Sequence, residues 1–336
     1  MRDTRTGRAA KTSSSFKVAA VGTHNSIGPF SIAVDQGIEV ELHALTVTGA
    51  EDGPSVYVGG GQHGDEIGGM AAAWEIAQRV DPRKLRGKLV VVPLQNPAGF
   101  KFRSRLNPYD PIDPDWIQPG NPGGSHYERV KYILNGLASK CDLVIDLHTA
   151  GLKGANSGYV YVPPEVGNGA GKRSLDLALA FGGDRIIQGK NESTYGWRVV
   201  NTMPFVANRD GRMGLYPEAG QGGALIPEKR FVDYLVTGVL NVLRKMNMTE
   251  GTITEQGEKR VVDPQSEKEV RAPSEGLLRT FVEPGDNVKK GQLIAEIRHI
   301  PGGLTKVRSP MAGNVVFLQR LGSVGKGDAI ATLYPA

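Results

Sequence analysis

Apolar and polar positions change their period several times along the chain. FSIAVDQGIEVELHALTVTG (residues 30–49) alternates one by one, the period of a half-buried strand, and EDGPS after it has turn composition. Strands are therefore expected between Lys17 and Val58. From Met70 to Arg86 the spacing becomes helical, and KLVVVPL then has the length and β-branched content of a buried strand. Ser125 to Ser139 is again helical, and DLVIDL (Asp142 to Leu147) is a second buried strand. Helices are also expected over Arg173–Phe181 and Pro227–Met246, the latter with Pro227 in its first turn. This alternation predicts an α/β fold: a mixed, mostly parallel sheet flanked by helices.

After Met248 the character shifts. TEGTITEQGEKR is polar and linker-like, and short strands separated by glycine turns follow. They contain a repeat. Pro273, Gly276, Val288, Lys290, Gly291, Ile294 and Ala295 match Pro310, Gly313, Val324, Lys326, Gly327, Ile330 and Ala331. Two such halves resemble the flattened barrel of biotinyl and lipoyl carrier domains. Their modifiable lysine would fall in IRHIPGGLTKVRSP, yet Lys306 lacks the flanking residues of a carrier, so the barrel reads as structural. The organisation expected is a basic tail (1–16), a catalytic domain (17–248) and a C-terminal all-β barrel (257–336).

The length of 336 residues suits two domains, and 39% hydrophobic with 22% charged residues is a globular composition. The net charge of +5 owes much to Arg2, Arg5, Arg8 and Lys11, so no nucleic-acid partner is inferred. No run approaches the ~18 apolar residues of a membrane span, and the basic start leads into TSSSFKV, not a signal core. A cytoplasmic protein without a membrane partner is expected. The single cysteine, Cys141, adjoins LVIDL and is expected to be a buried thiol.

The chemistry concentrates in YVGGGQHGDEIGG (Tyr57 to Gly69). Gly59, Gly61 and Gly64 match a dinucleotide-binding spacing, but the acidic partner such a fold wants about 20 residues on falls, at Asp81, in a turn before the second strand. Asp65 would also oppose a phosphate. The same window offers His63 and Glu66, at a strand end and a helix start, where both face the carboxyl edge of the sheet. His148 ends the strand DLVIDL in the same way. Two imidazoles and a carboxylate suit a catalytic Zn2+ with one open position, and Asp146 is placed to bond the outer nitrogen of His148.

With these pieces in place, the chain resembles the zinc-dependent succinylglutamate desuccinylase and aspartoacylase family, of zinc carboxypeptidase-like fold, over about Gln36 to Met246. GAEDGPSVYVGGGQHGDEIGG, VVVPLQNPAGF, RLNPYDPIDPDWIQPG, DLHTA and YPEAGQGG carry the likeness. The resemblance implies metal ligands His63, Glu66 and His148, a general base Glu218, and Arg105 polarising the scissile carbonyl. It implies hydrolysis of the amide of a small N-acylated amino acid or amine. A peptidase and a non-catalytic binding protein are the competing readings. One departure bears on the substrate: where members commonly read D-L-N-R-x-F-P-G, this chain has Asp113-Pro114-Asp115-Trp116-Ile117-Gln118-Pro119-Gly120. Either another arginine (Arg103, Arg198, Arg209 or Arg212) grips a substrate carboxylate, or Asp115 and Trp116 favour a cationic or carboxylate-free substrate. Tyr216 and Glu192 receive no role. The short strand edges of the barrel suggest self-association into a homo-oligomer.

Overall fold

The computed structural model describes residues 23–33, 39–110, 112–195, 199–223 and 225–336. The expected basic tail and Arg198 lie outside them. The fold is mixed α/β. Its first strands, β1 (Thr23–Ala33) and β2 (Glu39–Thr48), form an antiparallel pair at one edge of the main sheet. Next come β3 (Glu51–Gly60), α1 (Ile67–Arg79), β4 (Arg86–Val92), α2 (Pro97–Phe102), α3 (His126–Ala138) and β5 (Leu143–Leu147). They are followed by β6 (Gly154–Tyr161), α4 (Ala170–Phe181), β7 (Arg185–Ile187), α5 (Met203–Arg209), β8 (Met213–Gly223), β9 (Ile226–Pro227) and α6 (Lys229–Lys245).

The strand order is β1-β2-β4-β3-β5-β8-β6, with β4, β3, β5 and β8 mutually parallel. Successive residues of the central strands enter different cores. Val56, Val58, Leu143 and Ile145 pack with Ile76, Phe181, Leu235 and Val239 of α1, α4 and α6. Tyr57, Val90 and Val144 pack with Tyr127, Val130, Leu134 and Met203 of α3 and α5. Burial on both faces is why these strands are continuous apolar runs, as parallel sheets covered by helices require.

Element limits differ from expectation where local chemistry intervenes. EDGPS, expected as a turn, continues β3 through an irregularity between Glu51 and Ser55. α1 stops at Arg79 because Pro82 disfavours helical geometry at the residue before it. α3 is capped by Ser125, which accepts the Glu128 N–H while the Glu128 carboxylate accepts the Ser125 N–H, a capping box. Pro227 belongs to the short β9, opposite Gly222, and α6 starts at Lys229. The linker is strapped down: Asn241 on α6 donates to the Thr254 carbonyl and accepts the Thr254 N–H, and Gln256 donates to the Phe181 carbonyl.

Beyond it lie β10 (Arg260–Val262), β11 (Lys268–Arg271), β12 (Gly276–Thr280), β13 (Asn287–Val288), β14 (Leu293–Arg298), β15 (Leu304–Arg308), β16 (Gly313–Gln319), β17 (Ser323–Val324) and β18 (Ala329–Pro335). The sequence repeat becomes a reciprocal exchange. Gly276, opening the first half, pairs with Val324 of the second, and Gly313, opening the second, pairs with Val288 of the first. Two antiparallel layers result, around Ile294, Ile297, Val315, Ile330 and Leu333. Among the described residues no ladder joins the layers, so the expected barrel is seen as a pair of antiparallel sheets. Lys306 lies inside β15 opposite Glu296, away from the hairpin tip at His299–Gly303. β16 also pairs with β6, which extends the main sheet into this region. Among the described residues no helix is long and apolar enough to cross a membrane.

Candidate active site

The site forms where β3 and β5 end, beside the middle of β8. After Gly60 the chain turns at Gly61 (φ 64°), and the Gln95 and Asn96 N–H groups bond the Gly60 and Gly61 carbonyls, fixing the turn against the end of β4. Gly64 packs on backbone: a Cβ there would sit 1.9 Å from the Gly99 carbonyl carbon. Gly64→Ala is therefore expected to cost about 1–3 kcal/mol by overpacking, seen as a lower Tm, and to displace His63. The glycines let His63 and Glu66 converge.

The Glu66 carboxylate lies between two imidazoles. Oε1 is 2.7 Å from His63 Nδ1 and Oε2 is 3.0 Å from His148 Nδ1, while the Thr149 N–H donates to Oε2 at 2.9 Å. All three residues are essentially inaccessible to solvent. Each ring also turns its outer nitrogen to a carboxylate: His63 Nε2 is 3.2 Å from Asp113 Oδ1, and His148 Nε2 is 3.4 Å from Asp146 Oδ2. Asp146 is held in turn by Gln95, which accepts from the Tyr57 hydroxyl. Two Nδ1 atoms and a carboxylate converging, with an acid near each Nε2, is a donor set that could hold a metal ion. Without a cation, burial and Arg105 push the His63 pKa down, but Glu66, Asp115 and Asp113 outweigh them and raise it to about 9. Protons thus satisfy the acids where a cation could.

Arg105 touches three carboxylates: Nε donates to Asp113 Oδ2 at 3.0 Å, and its two terminal nitrogens reach Glu66 Oε1 and Asp115 Oδ2, each at 3.4 Å. Its side chain is 43% exposed, so these pairs orient it more than they stabilise the fold. Asp115 is buried and accepts from Gln62, which itself accepts from the fully buried Lys131. Burial pushes the Lys131 pKa down to about 8 despite the charges of Asp146, Asp115 and Asp113. Trp116 stands half exposed on the rim.

Glu218 enters from β8, which runs beside the end of β5 so that His148 and Glu218 form a bridge. Asn156 on β6 donates to Glu218 Oε2 at 2.5 Å. Burial, reinforced by the charge of Glu66, lifts its pKa to about 8 against the pull of His148 and Arg105. Sequence reading assigned nothing to Tyr216, yet its ring stacks on His148 with centroids 4.0 Å apart and its hydroxyl lies 3.1 Å from His148 Nδ1. A strand repeats every two residues, so Tyr216 shares the face of Glu218, and that period was the signal available. Asp113 was missed as well. Glu192 pairs with Arg209 instead of facing the site. The cavity, about 390 Å³, is walled by residues that include Asp65, Glu66, Asp113, Asp115 and Glu218 against Arg105 and Lys153. Cys141 is buried on α3's side of the sheet, with its thiol pKa pushed up by burial to about 11.

Residues 52–246 match the model of the succinylglutamate desuccinylase/aspartoacylase catalytic domain. The chain belongs to that family. A curated relative is the N-alpha-acetyl-L-2,4-diaminobutyric acid deacetylase of Halomonas elongata, 27% identical over 299 residues that cover 86% of this chain and 84% of the relative. Among solved structures, a succinylglutamate desuccinylase/aspartoacylase of Rhodobacter sphaeroides aligns with a TM-score of 0.79 at 24% identity, covering 93% of this chain and 95% of its own. The product-bound ectoine utilization protein EutE (DoeB) of Ruegeria pomeroyi aligns with a TM-score of 0.80 at 20% identity, covering 95% and 98%. These structural likenesses establish the fold; membership in the succinylglutamate desuccinylase/aspartoacylase family rests on the catalytic-domain match.

Proposed function

We propose that this family member is a zinc-dependent amidohydrolase that removes a short acyl group from an amino acid carrying a second amine. The observation that carries the reading is the convergence of His63 Nδ1, His148 Nδ1 and the Glu66 carboxylate opposite a Glu218 whose pKa is raised. His63, Glu66 and His148 would hold Zn2+, which supplies water activation near neutral pH and polarises the acyl carbonyl. Glu218, positioned by Asn156, takes the proton of the attacking water and returns it to the departing amine. Its ionised form is needed for the first step, and a dication beside it favours that form. Arg105, steered by Asp113 and Asp115, answers the negative charge that develops on the acyl oxygen. Tyr216, stacked on His148, limits the rotation of that ring and walls the cavity.

The substrate class follows from the charge of the cavity and from the relative's deacetylation of an acylated diamino acid. Asp115 stands where family members commonly carry asparagine, and its carboxylate is held in place by Gln62 and Arg105. A fixed carboxylate recognises an ammonium. N-acetyl-2,4-diaminobutyrate is therefore expected to be cleaved well ahead of N-acetyl-norvaline. In Asp115→Asn, kcat/KM for the diamino substrate should fall about 10- to 100-fold further than for the neutral substrate, the worth of one charged hydrogen bond; any fall shared by both reports the loosening of Arg105. Parallel loss on both substrates would remove Asp115 from amine recognition.

A further inference from the structure

We propose that Lys153, at the mouth of the cavity, is the residue that grips the α-carboxylate of the substrate. This rests on the amidohydrolase reading above and adds the specificity determinant it lacks. The family's usual Asn-Arg pair is replaced by Asp115 and Trp116, so a free acid needs another cation close to the scissile nitrogen, on the cavity wall. The arginines considered from sequence do not supply it among the described residues. Arg209 is committed to Glu192 and the Val200 carbonyl, Arg212 to Asp210 and the Ala138 carbonyl, and Arg103 is absent from the wall. Arg105 is on the wall but is shared among Glu66, Asp113 and Asp115.

Among the described residues Lys153 is the other cation of the wall, and its ammonium has no ion pair and no hydrogen bond there. Its backbone, by contrast, is fixed on both sides. The Leu152 N–H donates to Asp65 Oδ2 at 3.0 Å, and the Lys153 carbonyl accepts the Arg320 N–H at 2.8 Å. One residue later, Gly154 begins the ladder with Gln319 of β16. The C-terminal sheets thereby set the position of a lysine at the catalytic mouth. A lysine of fixed backbone and unengaged ammonium, on a wall whose five carboxylates would repel an acid elsewhere, makes a carboxylate subsite.

The test uses N-acetyl-2,4-diaminobutyrate and its α-carboxamide with the metal-loaded full chain. Wild type should favour the free acid. Lys153→Met should raise KM for the acid about 10- to 100-fold with kcat nearly unchanged, and should shift KM for the amide far less; Lys153→Arg should restore most of the preference. Equal changes on both substrates, or none on the acid, would overturn the role of Lys153 while leaving the amidohydrolase reading intact. Failure of wild type to cleave either molecule would overturn both.

Discussion

Glu218→Gln is expected to lower kcat by about 10²- to 10⁴-fold, the usual worth of a positioned general base, while the purified protein keeps its metal. The amide has the size of the carboxylate and can still meet Asn156, so fold and cavity should persist. What disappears is the proton acceptor. His63, Glu66 and His148 are untouched, and Glu218 contacts the site from a different strand, so elemental analysis should find the same metal content in both proteins. Steady-state kinetics beside that analysis checks the claim. Activity within tenfold of wild type would assign the proton transfer elsewhere, and concurrent loss of metal would make Glu218 part of the ligand set.

Removing the proposed Zn2+ with a chelator should lower Tm by an amount that grows as pH rises from about 6.5 to 9. In the metal-free protein the His63 pKa is raised from 6.5 to about 9, because Glu66, Asp115 and Asp113 outweigh burial and Arg105. A group whose folded pKa is raised stabilises the fold fully below its unfolded pKa, and that contribution is lost as pH climbs through the folded value. For His63 it amounts to roughly 3 kcal/mol at most, and His148, also raised, acts in the same direction. The metal, in contrast, needs neutral imidazoles and binds more tightly over the same window. Depressed Glu66 and Asp113 do not alter the sign, since they are ionised in both folded and unfolded chains above pH 6. Calorimetry of stripped and reloaded protein at pH 6, 7.5 and 9 measures the gap. A constant or shrinking gap would show that protons do not replace the metal between these residues.

How much of this was written in one dimension varies with the kind of interaction. The long buried strands and helices were legible because burial imposes a period: DLVIDL is apolar throughout since Leu143 and Ile145 enter one core and Val144 the other. By contrast, α2, β6, β7, α5 and β8 were not read. The repeat in the C-terminal region was legible because the two halves make the same contacts twice, Gly276 with Val324 and Gly313 with Val288. That His63, Glu66 and His148 would meet was legible because two follow strand ends and the third opens a helix at the same edge of the sheet. Limits set by local chemistry were not, as at Pro227, where pairing with Gly222 displaced the expected helical turn.

By itself, then, the sequence determined the α/β order, the repeated C-terminal strands and the trio His63, Glu66 and His148 that the fold brings together, since these follow from periodicity and from side-chain types close to the elements that carry them. The tertiary structure decided the rest. Only the alignment of β5 with β8 brings Glu218 to His148, 70 residues away, and only the folded chain turns Asp113 toward His63 and Asp115 toward Arg105. The assignment of Tyr216 and Lys153 to the cavity wall is of the same kind. Such contacts join segments with no common period, and their energies depend on burial and distance, which exist only once the chain has closed on itself.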